Sequence, residues 1–345
     1  MSGLLAEQRT PQVSVVLPVR NAAHTIDECL DSIVRQTYER FEVIIIDDGS
    51  TDDSLRKIRH WCDRDRRIRY YQQPFLGLVP ALNKGLALAK GKYIARMDAD
   101  DIMLQNRLHA QVEFLNHHPH IVLVATQVEL FPKNRVTPAY QEYIGWQNQC
   151  LTSRDIADEI YVESPVAHPT VMMRREACLM LGGYRQGDFP EDYDLWLRMI
   201  SHGMRLAKLP QVLLKWRDYS HRTSRVDNRY HKQKFDELRA KHLARDPRIH
   251  SQRPLVLWGA GRKTRKRVAL SGIKPALWVD VDTKKIGKCY QGARVEHFSW
   301  LRDQSSQSVK PFVLSYVNNH GVRELIAKEL QRCGFHRGDD YLMVG

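Results

Sequence analysis

The sequence predicts an α/β protein: a mostly parallel sheet, followed by a second, smaller α/β domain. Three observations carry this. Apolar runs and helical patterns alternate as β-α-β-α-β-α-β over the first 100 residues, which argues for a parallel sheet with helices on both sides. The alternation restarts near residue 252, after a polar, basic stretch closed by Pro247 and Pro254. A chain of 345 residues is also comfortable for two domains. The division that follows is residues 10–225, a basic helical linker at 226–251, and residues 252–345.

Residues 12–19, QVSVVLPV, form a nearly unbroken apolar run, the mark of a central strand buried on both faces. A helix follows, with Ile26, Leu30, Ile33 and Val34 at helical spacing. Residues 41–46, FEVIII, are a second buried strand that ends in Asp47-Asp48-Gly49-Ser50. Ser50, Thr51 or Asp52 can cap the next helix. Residues 68–72 are a short third strand, and Ala81, Leu82, Leu86 and Leu88 line the helix that leads to Gly91. Residues 92–97 are a strand that stops at Asp98, Asp100 and Asp101. Beyond a helix near 104–116 and a strand at 121–128, residues 131–165 are poorly patterned.

Two strands therefore end in acids. Carboxyl ends of parallel strands share one edge, where open α/β sheets place their ligands. Three acids within four residues repel one another unless a cation or a proton offsets them. Such oxygen-rich clusters suit Mg²⁺ or Mn²⁺. The bland alternative is a turn in which an Asp caps the next helix.

Together, VSVVLPVRNA, VIIIDDGSTDDS, ALNKGLALAKGKYIARMDADD, HPTVMMRREA, LGGYR and EDYDLWLRM resemble the family 2 glycosyltransferases of the GT-A fold, whose sheet is nucleotide-diphospho-sugar transferase-like. The resemblance runs from residue 13 to 224. It implies an inverting, metal-dependent hexosyltransferase that moves a sugar from a nucleoside-diphosphate sugar to an acceptor hydroxyl, in cell-surface glycan or polysaccharide biosynthesis. A UDP-sugar donor, a glycan or lipid-linked acceptor and Mg²⁺ or Mn²⁺ come with it.

The resemblance also assigns residues. Pro18, Arg20 and Asn21 match the loop bordering base and ribose. Asp48 matches the acid that binds the base, and Asp47 contacts the base or orients the loop. Asn83 lies on the segment closing over the nucleotide. Asp98-Ala99-Asp100 matches the D-x-D element, with Asp98 and Asp100 toward the metal and Asp101 in support. Asp192 matches the general base and Glu191 shapes its surroundings; otherwise both are simply acids at a helix N-terminus. His168 is either a substrate contact or a buried structural histidine. Arg222 or Arg225 matches a phosphate contact. A common variant of the family carries a His two residues after the Arg of this loop. Here that position is Tyr219, with His221 out of register.

The C-terminal domain resembles a Rossmann-like module appended to such enzymes. Gly259-x-Gly261 after a strand, with Asp280 about 20 residues on, imitates a dinucleotide fingerprint. The third glycine position holds Thr264. This keeps an NAD(P)-dependent oxidoreductase as one alternative.

The formal net charge is +13. Between Arg205 and Arg267 stand 19 Lys and Arg against 5 Asp and Glu, so this block accounts for all of it. It is a solvated helix face, or it meets nucleic acid, anionic lipid or a phosphorylated substrate. A basic nucleic-acid- or lipid-binding protein is the second alternative. It leaves the acid clusters unexplained, so the reading expects no nucleic-acid partner. A nucleotidyltransferase would carry a Gly-rich loop where PVRNA stands. The six cysteines are scattered without a C-x-x-C pair, which fits a reduced, cytoplasmic protein without structural zinc. No run is long and apolar enough to span a membrane, and the first residues do not form a secretory signal. Peripheral contact with the inner face of an anionic membrane fits the basic block.

Overall fold

β-Branched runs build the first sheet. In the computed structural model, which describes residues 10–219, 222–304, 307, 309–317 and 321–345, β1 (Val13–Val19) and β2 (Phe41–Asp48) are buried along almost their whole length. His221 lies outside the described residues, as do residues 1–9. Contacts divide the chain into two units. The first runs to Ser153 and resumes over Pro165–Asn228; the second joins Arg154–Ser164 to Arg229–Gly345.

The first unit completes its sheet with β3 (Ile68–Gln73), β4 (Tyr93–Arg96), β5 (Ile102–Met103), β6 (Ile121–Phe131), β7 (Met172–Arg174) and β8 (Arg205–Arg217). The order is β3-β2-β1-β4-β7-β6-β8-β5. The first four strands are parallel. β7 runs antiparallel between β4 and β6. Parallel register brings the ends of β1, β2 and β4 to one edge, and with them Arg20, Asp48 and Asp98.

The two faces of this sheet are unlike. Val15, Leu17, Val43, Ile45 and Ala95 pack on Ile26, Leu30, Ile33 and Ile58 of two crossover helices. Each such buried side chain contributes about 1.5–3 kcal/mol. Val16 is in register with Ile44 and Arg96, so these three share the other face. The helix Leu78–Leu88 covers it at Gly85, where a Cβ would lie 2.4 Å from Val16 Cγ1.

β8 escapes a sequence reading because Arg205, Lys208, Lys215 and Arg217 interrupt its apolar residues. Lys208 is nonetheless buried, and its ammonium donates to the Pro165 carbonyl at 2.8 Å. The poorly patterned region holds two helices, Pro138–Gln149 and Ser153–Glu159.

The second unit holds β9 (Leu255–Trp258), β10 (Leu277–Asp280), β11 (Cys289–Tyr290), β12 (Ala293–His297), β13 (Phe312–Ser315) and β14 (Tyr341–Met343). Their order is β11-β12-β10-β9-β13-β14. All neighbours are parallel except the hairpin β11–β12. The helix Lys232–Leu243, placed in a linker by the sequence reading, belongs to this unit. So does the insertion Arg154–Ser164, whose Ile156 and Ile160 are fully buried. Its Tyr161 hydroxyl donates to Asp246 at 3.0 Å.

Much of the basic block is internal wiring. Arg239 is buried and donates to Val162 O at 2.6 Å. Arg248 meets Asp246 and Asp158 at 2.7 and 3.2 Å, and Arg267 meets Asp236 at 3.4 Å.

Two glycine substitutions test the packing with opposite signs. A Cβ on Gly91 would lie 2.6 Å from Ser14 N and 2.8 Å from Val13 C, both backbone. Gly91→Ala should therefore cost about 1–3 kcal/mol by overpacking. Gly145 sits inside the helix Pro138–Gln149 with nothing within 4 Å of a new Cβ, so Gly145→Ala should gain about 0.5–1 kcal/mol. Urea melts of both variants read the two values, and equal signs would contradict the packing described.

Candidate active site

Two loops meet at the ends of β1 and β2. Asn21 adopts a left-handed backbone (φ 51°), which Asn tolerates better than most residues. Its Oδ1 accepts the Thr51 N–H at 2.8 Å, and its own N–H donates to Ser50 Oγ at 3.0 Å. The Ala22 and Ala23 N–H groups reach Ser54 Oγ and Asp52 Oδ2 at 2.7 and 3.0 Å. Asn21 is thus the latch between the loops. Pro18, partly buried, pairs with Ile46 in the sheet just before it. The exposed Arg20 guanidinium stacks 3.3 Å above the Phe75 ring.

Asp48 organises the loop that carries Phe75. Its carboxylate accepts from Gln73 Nε2, Leu76 N and Gly77 N at 2.8, 2.9 and 2.9 Å. Asp47 is 1% exposed, and its Oδ1 has no partner among the described residues. Asn83, in the helix Leu78–Leu88, is committed to the backbone. Both ends of its amide hold the Tyr184 backbone, at 3.0 and 2.8 Å. This pins Gly182-Gly183, both at positive φ, to the helix Leu78–Leu88.

The acid turn lies past β4. One ligand atom from each of Asp98, Asp100 and Asp101 falls within a 4.8 Å cluster. Burial and the neighbouring carboxylates, Asp98 foremost, raise the Asp100 pKa, while a hydrogen bond from Tyr219 opposes this. That bond, Tyr219 OH to Asp100 Oδ2, is 2.8 Å. Asp101 is pushed up further, by burial and then by Asp100 and Asp98. Its Oδ1 accepts the Arg217 N–H at 2.8 Å, and its buried Oδ2 has no partner among the described residues. Ala99 between them packs on the core. Arg217 also donates from Nε to Asp100 O at 2.6 Å. Arg222 is buried, stacks over Trp216 at 4.4 Å and donates to Tyr140 OH at 3.0 Å. Its charge draws the Asp100 and Asp101 pKa values back down. Arg225 is taken up by Asp218 at 2.6 Å.

Two further acids open the helix Glu191–Ser201. Asp192 Oδ1 accepts the Tyr193 N–H at 2.7 Å. Burial and then Glu191 raise its pKa to about 7. Glu191 is buried, 4.0 Å from His168 Nδ1. His168 bonds Tyr184 OH through Nε2 at 2.8 Å. Burial, then the Arg96 charge, hold its pKa well below the usual range. A neutral, hydrogen-bonded core histidine fits this better than a substrate contact.

Known proteins resemble this chain. The Glycosyl transferase family 2 model matches residues 14–180. An uncharacterized glycosyltransferase of Haemophilus influenzae is 34% identical over 229 residues, 64% of this chain and 70% of its own. The chain belongs to glycosyltransferase family 2. The amylovoran biosynthesis glycosyltransferase AmsE of Erwinia amylovora is 31% identical over 206 residues, 59% of this chain and 75% of its own. Among solved structures, S. aureus TarS 1–349 in complex with UDP-GlcNAc aligns with a TM-score of 0.52 at 17% identity, over 68% of this chain and 72% of that one. That likeness supports a GT-A fold for the first unit. The protein is a glycosyltransferase.

Sequence reasoning passed over two contributors. Tyr219 is the polar contact to Asp100; its place in the loop was the only signal. Arg96 is a charge inside the apolar strand YIARM, and a charge where burial is expected is itself a signal. In the second unit, Asp280 Oδ2 accepts the Ala260 N–H at 2.7 Å and meets Lys285 Nζ at 3.0 Å. The acid of the dinucleotide-like pattern thus closes its own glycine turn.

The Asp192 pKa makes a prediction about stability. A carboxyl raised by folding binds its proton more tightly in the folded state. It therefore favours folding at low pH and costs stability as pH climbs from the ordinary carboxylate range toward 7. Asp192→Asn should raise Tm at pH 8 and leave it nearly unchanged at pH 4. A Tm difference independent of pH would contradict the assignment.

Proposed function

We propose that this enzyme is an inverting, metal-dependent transferase that moves a sugar from a nucleoside-diphosphate sugar to an acceptor hydroxyl. The observation that carries this is one sheet edge holding a latched loop at Asn21 and Asp48 and the three-acid turn, together with an aspartate poised near neutral pH. The base and ribose lie against Arg20, Asn21, Asp47 and Asp48. The UDP-GlcNAc bound by TarS favours a UDP-sugar. The name of AmsE favours a cell-surface polysaccharide as product, with a glycan or lipid-linked acceptor. The second unit is read as a Rossmann-like module with a docking role, through which the enzyme meets an anionic membrane surface. No helix among the described residues is long and apolar enough to cross one.

The acid turn fits a hard divalent cation. Three carboxylates converge there, one buried oxygen of Asp101 has no partner among the described residues, and two of the acids are forced toward protonation. Asp98 and Asp100 would hold Mg²⁺ or Mn²⁺, with Asp101 in support, and the ion would supply neutralising charge to the diphosphate.

Asp192 supplies the base. Its Oδ1 is held by the Tyr193 N–H. Oδ2 takes the proton of the acceptor hydroxyl as that oxygen bonds to the anomeric carbon. The bond from that carbon to the diphosphate oxygen breaks on the opposite side, so the configuration inverts. A base with pKa near 7 suits this task at neutral pH. Arg222 stands near the departing negative charge.

Two measurements test the proposal. Melting with UDP, GDP, dTDP and CDP, each with and without Mn²⁺, should show one nucleotide raising Tm in a Mn²⁺-dependent way. Asp100→Ala should lose that shift. A shift with NAD alone would move the site to the second unit and overturn the reading. Asp192→Asn should lower kcat by about 10²–10⁴ with little change in donor KM. The wild-type rate should rise with pH to a plateau above about 7, and a flat profile would remove Asp192 from the base role.

A further inference from the structure

Arg96 is a buried guanidinium without enough partners. It is 3% exposed. A guanidinium offers five N–H donors. Among the described residues its side chain pairs only with Asp98, through Nη1. Beyond that pair, Nε and Nη1 have no hydrogen-bond partner among the described residues. Leaving such a group unsatisfied costs more than an ordinary hydrogen bond returns, and a native structure needs a reason for it.

The same unit shows how it treats arginines that serve structure alone. Arg107, fully buried, donates from Nε to Gln111 at 3.0 Å and from Nη2 to Arg96 O at 2.9 Å, and Nη1 reaches Met97 Sδ at 3.6 Å. Arg198, 2% exposed, donates to Asp194, Leu181 O and Gly183 O at 2.7, 2.9 and 2.8 Å. Each of these guanidiniums is engaged at all three nitrogens. Arg96 is not, and it stands beside the acid turn.

Its position decides what it awaits. Arg96 shares a sheet face with Val16 and Ile44. Asp48 lies four residues past Ile44 on the same face. Arg96 precedes the acid turn by two residues and pairs with its first member. Its charge also acts on Asp192 and on His168. It is thus paired with the turn assigned to the diphosphate, and its charge reaches the base assigned to the acceptor. What lies between leaving group and base in a displacement is the transferred sugar.

We propose that Arg96 is a specificity-determining residue for the donor, its unpaired N–H groups donating to oxygens of the transferred sugar. This rests on the glycosyl-transfer reading above. The ligand class is a sugar bearing hydroxyl, acetamido or carboxylate oxygens on the side that meets the sheet. A planar fork suits such paired oxygens. Asp98 gives the guanidinium one fixed anchor, so that its remaining donors are pre-aimed.

The test is a ratio, which cancels any effect of Arg96 on the acid turn. Calorimetric titration in Mn²⁺ gives the affinity for UDP and for UDP-N-acetylglucosamine and UDP-glucuronate, or for the GDP or dTDP counterparts if melting selects those. In the wild type at least one sugar nucleotide should bind more tightly than the bare diphosphate. Arg96→Gln should cut that preference by about tenfold or more. Arg96→Lys keeps the charge beside Asp98 but loses the fork, so it should cut the preference too, with Tm near that of the wild type. An unchanged preference in both variants overturns the inference. So does equal loss of diphosphate and sugar-nucleotide binding, which would make Arg96 a support for Asp98 alone. If the wild type binds diphosphate but no sugar nucleotide more tightly, the inference fails while the nucleotide reading stands. If it binds neither, the nucleotide reading itself has failed.

Discussion

Carboxylates forced together at a buried sheet edge repel, and the first unit is built around containing that repulsion. Asp98, Asp100 and Asp101 cannot separate, because the turn that carries them is closed by the Asp101 N–H bonding Asp98 O at 3.3 Å. Arg96 pairs with the first acid, Tyr219 donates to the second, and the Arg217 N–H holds the third. Arg222 adds charge from beyond. These counterweights come from β4, from the end of β8 and from the loop after it. The balance is still incomplete, since burial and mutual repulsion leave two of the acids shifted toward protonation. An incomplete balance of negative charge suits a site that takes up a cation together with a diphosphate.

The parallel half of this sheet was legible because its strands are buried on both faces and write themselves as unbroken apolar runs, VSVVLPV and FEVIII. The acid ends of β2 and β4 were legible for the same reason: a charge stands out against such a run. What stayed hidden was basic. β8 carries four Lys and Arg, three of them buried or half-buried. Lys208 shows how a cation joins a core, by donating to carbonyl oxygens rather than to water. The same physics dissolves much of the basic block, where Arg239 and Arg248 hold the second unit's own carbonyls and carboxylates.

Site residues divide along similar lines. Asp48, Asp98, Asp100 and Asp192 were singled out because motifs carry them. Their partners were not, because hydrogen bonds such as Tyr219 to Asp100 join residues 119 positions apart. Asn83 is the opposite case. Its motif suggested the nucleotide, but its amide is satisfied by the Tyr184 backbone 101 positions away. It acts on the site by fixing the glycine turn. In the second unit Asp280 behaves likewise, bonding the Ala260 N–H that a dinucleotide phosphate would otherwise approach.

Counting bound Mn²⁺ by electron paramagnetic resonance tests the containment of charge most directly. The account expects the wild type to remove one Mn²⁺ per chain from solution in the presence of the nucleotide. Binding should tighten as pH rises and the raised carboxyls ionise, and Asp98→Asn and Asp100→Asn should abolish it. Mn²⁺ bound equally well by those variants, or an affinity that does not change with pH, would show that the acid turn is not the cation site.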